Sequence, residues 1–335
     1  MKILSVNISK EKGTPKYPVS SITLDTKGII HDAHRGQDHK HISLLNIEFY
    51  PPFTSEKQFA ILDCKDSEKS VKINKLIYSE NGKPNYGIYA ENLTVKSSPS
   101  DNFRYLKQCN IGDRFVCGEL VMEVSQIGKH CEMEKCQLYK VVGTCEMPKE
   151  GIFTRVLHGG TLKAGDELKY IPKVWKTAVI TLSTRAYNGI YEDLSGPLLS
   201  DRIKNFCQKN HWPTKPYYKI LSDDSKSLKA EVKKLIDENY DFIFTTGGTG
   251  IGPSDITVDT LRPLLDKEIP SIMDFIKMKY GAKNPNALIS TSIAGIASNS
   301  IIFCVPGSVK AVKEYIDEIE KVIGHMYKMH IGLSH

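Results

Sequence analysis

The chain has 335 residues, 40% of them hydrophobic and 25% charged, with a formal net charge of +6. That length predicts two domains, and the balance of apolar and charged residues excludes a disordered or low-complexity chain. A mild charge without a basic block speaks against nucleic acid and suits an anionic small molecule. The opening Met1-Lys2-Ile3-Leu4-Ser5-Val6-Asn7 has no long apolar core and no small-residue cleavage site, so it reads as a first strand. No apolar run approaches the ~18 residues that cross a bilayer. The protein is therefore expected to be soluble and cytoplasmic, with no membrane partner and with its eight cysteines reduced.

Up to about Ile171 the chain offers short apolar stretches broken by Gly, Pro, Asn and Asp: Lys2 to Ile8, Ser20 to Leu24, Lys72 to Tyr78, Arg114 to Cys117 and Glu119 to Ile127. This spacing predicts a mostly β domain over residues 1–171, a barrel or sandwich, with some helix near His41 to Ile47. From Lys176 strands and helices alternate. Strands are predicted at Ala178 to Leu182, Tyr217 to Leu221, Asp241 to Thr246 and Ser300 to Val305, and helices at Gly196 to Cys207, Leu228 to Ile236 and Val309 to Met326. Apolar runs separated by helices predict a doubly wound α/β domain with a parallel sheet over residues 172–335. The linker is expected at Tyr170 to Trp175. Cys64, Cys207 and Cys304 read as small buried hydrophobes, as do Cys109 and Cys117.

The densest motif is Thr245-Thr246-Gly247-Gly248-Thr249-Gly250-Ile251-Gly252-Pro253-Ser254-Asp255-Ile256-Thr257, between a buried strand and a helix that Thr257 is expected to cap. Its glycines let the backbone approach a ligand and present N–H groups to an anion. The string is neither a Walker A loop nor Gly-x-Gly-x-x-Gly, because no Gly-Lys-Ser/Thr follows and the glycines run GGxGxG. Two more loops follow strands of the same sheet. Ser183-Thr184-Arg185-Ala186-Tyr187-Asn188-Gly189 leads into Tyr191-Glu192-Asp193-Leu194-Ser195-Gly196-Pro197, and Val305-Pro306-Gly307-Ser308 precedes the last helix. Ligands of open α/β sheets sit beyond the carboxyl ends of the strands, so the three loops predict an anion pocket. Asp255 after the glycines, and Asp223 and Asp224 after the second strand, are candidate carboxylates for holding Mg²⁺ against phosphates. Helix capping is the other reading of the Asp223–Asp224 pair.

The string TTGGTGIGPSDIT, preceded by RAYNGIYEDLSGP and followed by VPGS, resembles the MoaB/MogA family of molybdopterin-binding proteins over about residues 176–330. The resemblance implies a Mg²⁺-dependent reaction in which the terminal phosphate of molybdopterin attacks the α-phosphorus of ATP, giving adenylyl-molybdopterin and pyrophosphate. It further implies that Asp255 and Asp223 or Asp224 bind metal or steer the nucleotide. Thr246, Gly247, Gly248, Thr249 and Gly250 would cradle phosphate, with Ser183, Gly307 and Ser308 contributing from the flanking loops. Such proteins often form trimers, which implies a homo-oligomer built through this domain, working beside other proteins of molybdenum cofactor synthesis. Two positions depart from the family pattern: Thr184 stands where Asp is usual, and Ser254 where Arg is common.

In the first half, Gln126-Ile127-Gly128-Lys129-His130-Cys131-Glu132 is followed by Cys136 and Cys145. These cysteines admit a structural zinc site, plain packing, or a reactive thiolate at Cys131 beside Lys129 and His130. The strings GKHCE, YAENLT and EGIFTRVLHGG resemble a MOSC domain, the β-barrel of molybdenum cofactor sulfurases, over about residues 1–168. That resemblance implies that Cys131 carries sulfur or contacts the molybdenum or tungsten of the cofactor. Asp32, His34, Glu91 and Asn92 would line the same cavity, and Arg155 would hold an anion. His34 and His39 read equally well as exposed loop residues. The reading that results is a molybdopterin adenylyltransferase joined to a MOSC domain, the join raising the effective concentration of an unstable intermediate. The alternatives are a non-catalytic cofactor carrier and a protein centred on sulfur transfer through Cys131.

Overall fold

The structure is a computed structural model describing residues 1–36, 39–50, 79, 82–97, 109–129, 131, 136, 139 and 145–333. It divides into two compact units, Met1–Lys173 and Val174–His335. The strand expected at Lys72 to Tyr78, together with Cys64 and His130, lies outside the described residues.

The first unit is mostly β. Its strands are β1 (Lys2–Ile8), β2 (Tyr17–Val19), β3 (Ser21–Asp25), β4 (Gly28–Ile29), β5 (Ile42–Asn46), β6 (Leu93–Lys96), β7 (Arg114–Cys117) and β8 (Leu120–Ile127). After a short helix α1 (Met147–Glu150) come β9 (Ile152–His158), β10 (Gly160–Lys163) and β11 (Lys169–Ile171). An eight-stranded sheet runs β11-β7-β8-β9-β5-β6-β1-β2, and a smaller one runs β10-β3-β4. The large sheet curls back on itself: the main chain of Met1 and Ile3 exchanges hydrogen bonds with Gly165, Asp166 and Leu168, just ahead of β11. Alternating side chains such as Ile3, Ile22, Leu24, Phe115, Met122 and Val124 fill the enclosed core.

The helix expected near His41 to Ile47 is instead strand β5, followed by a single 3-10 turn at Ile47–Phe49. The reason is tertiary. β5 pairs in parallel with β6 and antiparallel with β9, and all five of its residues are buried. Ile42 and Leu44 face the enclosed core, while Leu45 joins a second cluster with Tyr50, Tyr89, Met147 and Phe153. A strand buried on both faces carries no alternation from which its period can be read.

The second unit is α/β. In chain order it contains β12 (Trp175–Leu182), α2 (Thr184–Tyr187), α3 (Ser195–Lys209), β13 (Thr214–Leu221), α4 (Ser225–Asp237), β14 (Phe242–Thr246), α5 (Thr257–Leu261), β15 (Lys267–Glu268), α6 (Pro270–Gly281), β16 (Ile293–Ala297), β17 (Ser300–Val305) and α7 (Val309–His330). The sheet order is β13-β12-β14-β17-β16-β15. The first four are parallel as expected, but β16 pairs antiparallel with both β17 and β15 and makes the sheet mixed. The hairpin turn at Ser298 and Asn299 brings the chain straight back from β16 into β17, so no crossover helix intervenes.

Apolar cores cover both faces of this sheet. One gathers Val179, Phe244 and Phe303 with α3, α6 and α7, and the other gathers Ile180, Ile243 and Ile302 with α4 and α5. Trp175 anchors the first core, stacked on Trp212 at 3.9 Å between ring centres. Cys207 and Cys304 are buried in these cores, as expected of small hydrophobes, and burial pushes their thiols up to about 11 and about 12. No helix among the described residues is long and apolar enough to cross a membrane.

Candidate functional site

Register aligns the carboxyl ends of the parallel strands in one row: Leu182 lies opposite Leu221, Thr181 opposite Thr246, and Thr246 opposite Val305. From β12 the chain crosses to β13 on one side, then returns to β14 on the other. The loops that follow β12 and β14 therefore part at the switch point, where open α/β sheets form their ligand crevice.

The glycine loop closes that crevice. Gly247 and Gly248 adopt left-handed φ values of 98° and 62°. A Cβ at Gly247 would come within 2.3 Å of the Leu182 carbonyl oxygen, and one at Gly307 within 3.0 Å of the Gly247 Cα. The end of β12, the glycine loop and the Pro306–Ser308 bend thus approach backbone to backbone. The Gly247 amide donates to the Val305 carbonyl (3.1 Å) and the Thr246 hydroxyl to that of Pro306 (2.9 Å). Thr257 is the first residue of α5, not its cap; its hydroxyl turns back and donates to the Gly247 carbonyl at 2.8 Å.

Residues that the sequence reading passed over complete the loop's support. The Thr249 carbonyl accepts from both the amide and the hydroxyl of Thr291, each at 2.9 Å, and the Thr249 and Ser290 hydroxyls are 3.4 Å apart. The run Ser290-Thr291-Ser292 ahead of a strand was the available signal. With these bonds made, the amides of Gly248, Thr249 and Gly250 meet no acceptor among the described residues. Successive free amides that follow the left-handed Gly247 and Gly248 form a concavity suited to an anion. Gly247→Ala is expected to lower stability by about 2–4 kcal/mol, because a side chain there combines positive φ with backbone overlap. Thermal unfolding checks this; a melting temperature equal to wild type would show that the loop is not held as described.

The carboxylates occupy distinct posts. Asp255 reaches back across the loop to accept from the Gly252 amide at 2.9 Å, and a Cβ on Gly250 would meet its carboxylate at 2.5 Å. Asp223 is clasped to Thr184, accepting from its amide (2.9 Å) and hydroxyl (2.8 Å) while its own amide donates back to that hydroxyl at 3.0 Å. Asp224 caps α4 by accepting from the Ser227 amide at 2.8 Å, the capping role weighed for it above. Ser183 and Ser308 likewise cap α2 and α7. Asp193, given no role from sequence, accepts from the amides of Ser195 and Gly196 and from the hydroxyls of Ser195 and Tyr218. Burial favours its protonated form, but the Thr181 and Tyr218 hydroxyls and the Gly196 amide hold it below the usual carboxylate range.

The first unit holds a separate cavity of about 150 Å³, lined in part by His34, Lys40, Ser43, Asn92, Lys129 and Cys136. Beneath it Asp32 accepts from the Lys16 ammonium at 2.5 Å, the Ser9 amide at 3.1 Å and the Asn92 side chain at 3.2 Å. The Lys16 and Asp32 side chains are each only 1% exposed. Burial raises the Asp32 carboxyl, but the His34 hydrogen bond and the Lys16 charge outweigh it and hold the group well below its ordinary range. Burial pushes the Lys16 ammonium down, against the pull of Asp32. Asp32 is hydrogen-bonded to His34 and Asn92 but is absent from the cavity lining that those two share, and Lys16 is its unforeseen partner.

Glu91 departs from that group. Fully buried, it accepts from the Tyr50 and Thr94 hydroxyls and from the amides of Gly87 and Tyr89, fastening the turn before β6. Burial pushes its carboxyl up, against those donors. Arg155, expected to hold an anion, is instead engaged across the strands by Glu123 at 2.6 Å. Cys131 and Cys136 are half-buried and, with Lys129, stand within electrostatic reach of Cys145, whose thiol burial pushes up to about 11. Among the described residues no group of three or more His, Cys, Asp or Glu is arranged to hold a metal ion by itself.

Residues 178–325 match the family described as "Probable molybdopterin binding domain". The chain is 33% identical over 164 residues to a protein of Pyrococcus furiosus named molybdopterin adenylyltransferase, covering 48% of this chain and 94% of that one. A Helicobacter pylori protein of the same name is 30% identical over 155 residues, covering 46% of this chain and 86% of its own. Among solved structures, the tungsten cofactor synthesizing protein MoaB from Pyrococcus furiosus is 32% identical and covers 48% of this chain and 98% of that one, with a TM-score of 0.43. Through its second unit, the chain belongs to the MoaB/MogA family of molybdopterin-binding domains.

Proposed function

We propose that the second unit transfers the adenylyl group of ATP to the terminal phosphate of molybdopterin and releases pyrophosphate. The observation that carries this reading is the row of free amides at Gly248, Thr249 and Gly250, set at the switch point of the sheet. Such amides replace part of a phosphate's hydration without a fixed positive charge. The naming of two relatives as molybdopterin adenylyltransferase supports the same chemistry.

In phosphoryl transfer the protein mainly positions the reactants and offsets charge. The glycine loop would hold one phosphate while Asp223 and Asp255 address the nucleotide. Asp223 lies at the end of β13, two strands from β14 and so roughly 10 Å across the rim. Each carboxylate engages a neighbour through Oδ2, leaving Oδ1 for a cation. Across that span the two carboxylates would not share one ion. Mg²⁺ commonly takes one or two carboxylates and completes its shell with water and substrate phosphates, so Asp255 beside the glycine loop would hold it and Asp223 would steer the nucleotide. When bound, the ion would supply charge neutralisation at the phosphates.

In the same reading the first unit is a MOSC-like module that handles the cofactor or its sulfur, supported by the polar cavity beside His34 and Asn92. Cys136 lines that cavity, and Cys131 is assigned the sulfur by resemblance alone. Self-association through the second unit, as a trimer, is supported by the exposed Phe275, Met278, Leu288 and Ile289. Binding without turnover is the second reading, favoured by Thr184, whose hydroxyl already occupies one oxygen of Asp223.

Mixing the full chain with ATP, Mg²⁺ and molybdopterin should release pyrophosphate and yield a pterin heavier by one adenylyl group in mass spectrometry. Tight molybdopterin binding with no pyrophosphate favours the carrier. If neither substrate binds, both readings are wrong.

A further inference from the structure

The loop between β12 and α3 holds four large apolar side chains in solvent: Tyr187 is 59% exposed, Ile190 74%, Tyr191 45% and Leu194 52%. Its backbone is tightly bonded. The Tyr187 and Asn188 amides donate to Ser183 and Thr184, and those of Gly189 and Ile190 to Ala186 and Arg185, all at 2.9 to 3.1 Å. Asp223 clasps one end through Thr184, and Asp193 the other through Ser195 and Gly196. The Arg185 guanidinium stands 5.4 Å over the Tyr191 ring. Apolar side chains presented to water by a firmly bonded backbone beside a crevice mark a surface that something covers.

Position says what covers it. α2 starts two residues beyond Leu182, whose carbonyl abuts Gly247, and a helical turn advances only about 5 Å. Tyr187 is therefore within reach of a molecule whose phosphate rests on Gly248, Thr249 and Gly250. Four side chains match the face of a fused ring, whereas a stable protein interface takes roughly 20–30 residues a side. Tyrosine faces stack on planar heteroaromatics, and the Arg185 cation adds to that preference.

We infer that the Tyr187–Leu194 lip receives the planar heteroaromatic ring of the phosphorylated ligand, by stacking on Tyr187 and Tyr191. This rests on the reading that the glycine loop holds a phosphate. Pterin and adenine share the required chemistry, and the experiment tells them apart.

The full chain and its Tyr187→Leu, Tyr191→Ala and Tyr191→Phe variants are titrated calorimetrically with inorganic pyrophosphate, ATP and molybdopterin. Tyr187→Leu and Tyr191→Ala should weaken ATP or molybdopterin by about tenfold, the loss of one ring stack, while pyrophosphate stays within about twofold. The ligand that weakens names the ring, and Tyr191→Phe should restore it. An equal loss for pyrophosphate means the lip only props the phosphate loop, which overturns the inference. Unchanged affinity for both ring-bearing ligands overturns it too. A wild-type chain that binds none of the three instead sinks the underlying phosphate reading, a distinct result.

Discussion

Asp255→Asn is expected to lower pyrophosphate release at least about 100-fold while molybdopterin affinity stays within about threefold. Asparagine retains an oxygen to accept from the Gly252 amide, so the loop that Asp255 bridges keeps its shape. What it lacks is the charge that would hold a divalent cation, and phosphoryl transfer depends on that neutralisation much more than ground-state binding does. The substitution should therefore act on turnover and spare binding. Steady-state pyrophosphate release beside a molybdopterin titration checks the split. Equal losses in both would mean that Asp255 serves only to fold the loop, and unchanged turnover would remove it from the reaction.

Asp32→Ala should destabilise the first unit by about 3–5 kcal/mol, because it strands the Lys16 ammonium 1% exposed and without its carboxylate. Pairing Asp32→Leu with Lys16→Met should recover most of that loss, since an apolar pair of similar volume carries no buried charge. Both tryptophans, Trp175 and Trp212, lie in the second unit, so their fluorescence reports that unit, and circular dichroism in urea adds the first. A loss under about 1 kcal/mol would show that water reaches Lys16 and that the pair is not truly buried.

The pH dependence has a definite sign. The Asp32 carboxyl is depressed in the native state, so its contribution is complete above the unfolded value of 3.8 and fades as pH falls toward the lower native value. Wild-type stability should thus drop on acidification below about pH 4 more steeply than that of Asp32→Asn.

Much of the second unit was legible in its residues. Ser300 to Val305 is a strand with both expected ends, since a run of apolar residues buried on both faces leaves little else for it to be. Thr246 to Gly250 was readable as a tight loop after the strand because glycine best tolerates the left-handed backbone and close approach found at Gly247 and Gly248. The first unit was legible as β, but β5 was not. Nor was the purpose of Thr257, whose hydroxyl fits a helix cap and a loop fastener equally well until the Gly247 carbonyl is placed beside it.

The residues alone carried the class of each half and the left-handed backbone of the glycine loop, because backbone conformation and local periodicity are properties of neighbours in the chain. Only the tertiary structure decided that Lys16 neutralises Asp32, that Glu123 takes Arg155, that Thr184 holds Asp223 and that Thr291 secures Thr249. Those bonds join residues 16 to 42 positions apart in the chain. A hydrogen bond or ion pair depends on distances of a few ångströms, which folding sets and sequence separation does not encode.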